Sequence, residues 1–174
     1  PDDWYFGASP YSLMPRIRSG GYAAARDLPG LRRQIAKWRD PNGLLCAMDP
    51  ARYGLPGAWT ESLGIVAPLQ EMMLQSWDGG IRAFPEWPEE IDASFERFGA
   101  EGAFLVSASW KDGAVGRLEI ESLRGEECRV WPPWAAGASV ADPNGAHVPS
   151  GTDGLGRVVF RTKEGGLYRL APLV

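Results

Sequence analysis

The apolar positions of this chain change period partway along it. From Tyr22 to Trp38, Leu28, Leu31, Ile35 and Trp38 recur at spacings of three and four, with Arg and Lys on the other side. That spacing predicts an amphipathic helix. Pro29 suits a first helical turn, so the helix is expected to begin near Asp27, and "RDPNG" ends it. Residues 61–77, "ESLGIVAPLQEMMLQSW", are apolar nearly all round, which predicts a helix buried on several sides. Pro68 within it implies either a kink or a restart with proline near the first turn. The first twenty residues mix aromatics with turn formers and read as an irregular approach, with a short helical turn near Ser12.

After Gly80 the period becomes two. "IRAF", "GAFLVSASW", "GAVGRLEIES", "ECRVW", "GRVVFRT" and "LYRLA" alternate or are rich in β-branched residues, with Gly- and Pro-rich punctuation between them. "DG" at 112–113 marks a two-residue hairpin turn. Phe104, Val106, Ala108 and Trp110 should share one face, opposed by Leu118 and Ile120. Helices first and strands afterwards predict an α+β chain with an antiparallel sandwich of six to eight strands in residues 80–174. The change of domain is placed near Phe84–Pro88, dividing the chain into 1–84 and 85–174.

Composition narrows the chemistry. The net charge of -4 comes without any basic stripe, so a nucleic-acid partner is not expected. No stretch approaches the roughly 20 apolar residues of a membrane span. The first residue is Pro1, which predicts a start inside a longer product or after processing. Cys46 and Cys128 are too few for a disulfide scaffold and read as buried free thiols, with a single bridge between them as the alternative. One histidine, His147, in the turn-rich "DPNGAHVPSGTDG", leaves no triad and no His-rich metal site, and reads as a surface residue. No metal or cofactor is expected, since the glycines sit at turns and not in a phosphate-cradling pattern. Eight tryptophans stand out. Flat rings stack on sugars, but they also fill cores.

The ordered series "EMMLQSWDG", "IRAFPEWP", "GAFLVSASWKDG", "IESLRG" and "CRV" resembles the C-terminal part of the family 95 α-L-fucosidases and related glycoside hydrolases. The likeness covers residues 60–134 and extends to "GRVVFRTKEGGLYRL". It implies the last helical hairpin of an (α/α)6 barrel followed by a β-sandwich. It also implies hydrolysis of O-glycosidic bonds with a carboxyl acid and base, the acid lying upstream. The family keeps its base just before the "EMLLQS" helix, in an Asp-X-Asn-aromatic-Gly pattern. With the glycine on Gly64, the Asp position falls on Thr60, and Glu61 is the neighbouring carboxylate. Glu61 is therefore the candidate base, with Trp59 and Trp4 as candidate sugar contacts. Thr60 as N-cap with Glu61 in the first turn is the competing structural reading. Glu71 and Asp78 bracket the helix, and Asp92 reads as a turn former. The expected partners are an oligo- or polysaccharide and the upstream barrel region, in a secreted or periplasmic protein. The alternative is a non-catalytic carbohydrate-binding or structural sandwich module.

Overall fold

The computed structural model describes residues 9–20, 24–46, 62 and 64–173. Its contacts divide the chain into two units, Pro1–Met72 and Met73–Val174. The first holds helices α1 (Ser9–Arg18), α2 (Ala24–Trp38) and all but the last residue of α3 (Val66–Met73). Residues 1–8 of the expected irregular approach lie outside the described residues; from Ser9 to Arg18 the turn expected near Ser12 extends to the whole of helix α1, with Pro15 inside it. Helix α2 starts three residues earlier than Asp27.

Of the helix expected over 61–77, residues 61 and 63 lie outside the described residues, 62 and 64 are helical, and after a turn at Ile65 helix α3 runs only over Val66–Met73. Pro68 is its third residue, where a missing amide proton has no intrahelical partner to lose. Its far end is cut short because Leu74–Gln75 form strand β1, paired antiparallel with β2 (Arg82–Ala83). The all-round burial expected there also fails, as Val66 and Trp77 are both 44% exposed. Apolar character ran on past the helix because Leu74 is buried as a strand residue, not a helical one.

The second unit contains eight further strands in two sheets. One sheet has the order β3 (Ala93–Ala100), β4 (Phe104–Lys111), β5 (Ala114–Ser122), β10 (Leu167–Pro172), β7 (Ala138–Ala141). The other runs β6 (Glu127–Val130), β9 (Val158–Arg161), β8 (Ser150–Thr152). Every pairing is antiparallel. Both sheets contribute to one core: Phe95, Val106, Leu118 and Ile120 from the larger, Cys128, Val130 and Phe160 from the smaller. Phe160 meets Tyr168 across the layers, with ring centroids 5.3 Å apart. The arrangement is sandwich-like, and it begins before Phe84, because Leu74, Ile81, Ala83 and Phe84 all belong to this core.

The hairpin at 112–113 forms as its sequence predicts. Asp112 and Gly113 have φ of 50° and 76°, the two left-handed positions of a type I′ turn. Val106 faces Ile120 and Ala108 faces Leu118. The register then shifts, so that Trp110 faces Val115. A second irregularity lies in edge strand β3 at Arg97, with φ of 56°. The extra residue brings Phe95 and Phe98 onto one face, stacked at 4.7 Å. It also bends the edge away from further pairing.

Cys46 and Cys128 are both buried and lie outside any disulfide among the described residues. Desolvation, only partly opposed by the Arg129 charge, pushes the Cys128 thiol up to about 12. It is a core residue with no thiolate chemistry at neutral pH.

Candidate functional site

Glu61, Trp59 and Trp4 lie outside the described residues. What the structure places is the frame on either side of them. The "DPNG" turn at 40–43 is closed by Gly43 N donating to Asp40 O at 2.8 Å, and Asn42 Oδ1 accepts from Leu44 N at 2.9 Å. Leu45 N then donates to Ser62 Oγ at 3.0 Å, tying the turn to the residue next to the candidate base.

Glu71 is engaged within the same unit. Arg18 donates to both its carboxylate oxygens, at 2.6 and 3.0 Å, in a fork-on-fork pair. That pairing fits a structural carboxylate better than a water-activating base. Asp78 has a comparable task in the turn between β1 and β2. Its side chain accepts from Gly80 N at 3.3 Å and pairs with Arg82 at 2.6 Å. Asp92 accepts from Asp112 N at 3.3 Å and so props the type I′ turn.

The β1–β2 turn is also held from outside. Ile81 N donates to Arg129 O and Trp131 N to Ile81 O, both at 2.9 Å, which adds a parallel bridge between Ile81 and Val130 at the edge of β6. Arg82 stacks over the Trp131 ring at 4.3 Å, with Arg157 at 6.0 Å from the same ring. Arg157 reaches the carbonyls of Asp78 and Gly79 at 3.4 and 3.3 Å, and is held by Asp153 at 2.8 Å. Gly80 is required beneath this clamp, since a Cβ there would lie 2.8 Å from Trp131 Nε1. Partial desolvation raises the Asp153 carboxyl, but hydrogen bonds from Arg157 and Leu155 outweigh it and hold the group below its usual value. Residues 131 and 157 were not singled out by the sequence reading. The paired Gly79–Gly80 was the one available signal of a close approach.

The tryptophans sort by their indole N–H groups. Trp87 donates to Ile91 O at 2.8 Å, Trp110 to Pro88 O at 3.1 Å, and Trp134 to Val115 O at 3.0 Å. All three pack against the core. Their polar edges are spent on backbone carbonyls, as expected of structural tryptophans. Trp77 is exposed and Trp131 is half-buried under its arginines. His147 is exposed beside the β7 edge. Among the described residues, no group of three or more His, Cys, Asp or Glu side chains could hold a metal.

The helix-led hairpin and the two sheets it joins define an antiparallel sandwich-type domain. Residues 75–170 match the glycoside hydrolase family 95 C-terminal domain. The chain therefore belongs to glycoside hydrolase family 95. None of the curated proteins matches it. The matched stretch contains the whole clamp, from Asp78 to Arg157, together with strands β3 to β9 and most of β10.

Proposed function

We propose that this chain serves, with an upstream (α/α)6 barrel, as the C-terminal section of a secreted or periplasmic enzyme that cleaves α-L-fucosides. The observation that carries the reading is the family 95 match over residues 75–170. In this reading Glu61 accepts a proton from the attacking water while an upstream acid protonates the leaving oxygen. The two carboxyls stand about 6.5–9.5 Å apart to admit the water. Trp59 and Trp4 border the sugar. The sandwich acts as support, and the tied-up indoles of Trp87, Trp110 and Trp134 favour that role over sugar capture.

The test is Glu61→Gln in the full-length protein, assayed on an aryl α-L-fucoside. General-base assistance is worth about 10²–10⁴-fold, so turnover should fall by that factor with the melting temperature nearly unmoved. Full activity with a small loss of stability would make Glu61 a helix-start residue. The acidic first turn contributes only about 0.3–1 kcal/mol.

A further inference from the structure

We infer that the exposed face of helix α2 is a binding site for an anionic carbohydrate. A groove of about 280 Å³ borders this face, lined among the described residues by Arg32, Ile35, Ala36 and Arg39. These positions follow the i, i+3, i+4, i+7 spacing of one helical stripe, which sets the two arginines about 10 Å apart along the axis. Arg39 lies just past the last helical residue, Trp38. Arg32 and Arg39 are both exposed, and neither makes a side-chain ion pair or hydrogen bond among the described residues. Seven other arginines, Arg18, Arg82, Arg97, Arg117, Arg129, Arg157 and Arg169, face carboxylates.

Two free guanidinium forks at either end of an apolar floor have a definite chemical complement. Each fork matches a carboxylate or sulfate ester in bidentate geometry. Ile35 and Ala36 between them offer a surface for the apolar face of a pyranose ring. A saccharide bearing acidic groups on separate rings satisfies both ends and the floor at once. A lone inorganic anion satisfies one end only. The inference rests on the glycoside hydrolase reading for its choice of a saccharide, and it makes the complete substrate a charged glycan held at a distance from the bond cleaved.

The experiment titrates the full-length protein by calorimetry with an oligogalacturonate, a sulfated oligosaccharide, a neutral oligosaccharide of equal length, inorganic phosphate and a polyglutamate peptide. One or both of the charged saccharides should bind, and which of them binds identifies the acidic group. The neutral oligosaccharide should not bind. Arg32→Gln and Arg39→Gln should each weaken the interaction about tenfold or more, from the loss of a charged hydrogen-bonding group. Arg33→Gln, which removes a charge of the same helix outside the groove, should leave affinity within about twofold. No binding of either charged saccharide would overturn the inference, as would equal binding of phosphate or polyglutamate, or equal losses from all three arginine variants. Hydrolysis of a neutral α-L-fucoside by the same preparation separates the two readings. If that activity is present while the charged saccharides fail to bind, the enzyme assignment stands and the α2 site falls.

Discussion

The residues up to Met72 and those from Met73 onward meet the demands of burial in different ways. In the second unit each strand sends alternate side chains inward, and Val106, Ile120, Cys128 and Val130 are fully buried with neighbours from both sheets. Backbone groups there are satisfied by ladders, and the outer face of the larger sheet is covered by charge pairs such as Arg169–Glu119 at 2.8 Å and Arg97–Glu121. In the first unit the described core is thin: Ile17, Leu31, Leu45, Cys46, Ile65, Pro68 and Met72 are buried, while α2 exposes Arg32 and Arg33. A sheet pair closes on itself, whereas short helices depend on packing from elsewhere for most of their stability. The difference accords with the proposal that the sandwich gives support and the helical part recognises substrate.

That contrast is open to experiment, and the largest effect is expected in the shared core. Ile120→Ala should cost about 2–5 kcal/mol, read from a denaturant melt followed by a β-sheet signal. A cost under 1 kcal/mol would mean that the sandwich core is looser than its burial indicates. Asp112→Pro should come next. Proline requires φ near −65°, whereas Asp112 sits at 50° and its amide donates to Asp92. A loss exceeding about 1 kcal/mol is expected, and Asp112→Asn, which tolerates the left-handed region, should be nearly neutral.

The clamp offers a finer test. Trp131→Ala removes the ring beneath two guanidiniums, an interaction worth about 0.5–2 kcal/mol. Trp131→Phe keeps an aromatic face and loses only an indole N–H that has no acceptor among the described residues, so it should be much milder. Equal losses from both would show that the indole itself, and not the stack, secures the hairpin.

The smallest effect is a pH dependence. The folded-state pKa of Asp153 lies below its ordinary 3.8. A depressed carboxyl contributes stability that is present above the unfolded value and lost as pH falls through the folded one. Wild-type protein should therefore lose slightly more stability than Asp153→Asn as pH drops below about 4. Parallel acid profiles for the two proteins would remove Asp153 from the account of the clamp.

Much of the sandwich was legible residue by residue. Alternation in "GAFLVSASW" and "GRLEIES" marked the core faces, and Asp112–Gly113 specified a turn that only left-handed backbone provides. These are local properties: a strand period and a turn type depend on neighbours two to four residues away. The family likeness was legible in the same way, because short motifs in fixed order survive without knowledge of packing. The turn tying Leu45 to Ser62 was not legible, since it joins residues far apart in sequence.

Tertiary structure decided what local pattern left undetermined. Leu74 continues an apolar helical pattern, yet Leu74 and Gln75 become a strand because Arg82 and Ala83 are present to pair with them. Phe95 and Phe98 are three apart in a strand and would face opposite sides, but the bulge at Arg97 turns both inward. Trp131 and Arg157 form a clamp only because β6 and the β8–β9 turn meet the Asp78–Gly80 turn in space. The sequence by itself determined the periods, the turns and the family, since each rests on interactions within a few residues. The partners of a strand, the phase of a bulge and the pairing of an arginine depend on which distant groups arrive beside them, and those were settled only when the chain closed on its core.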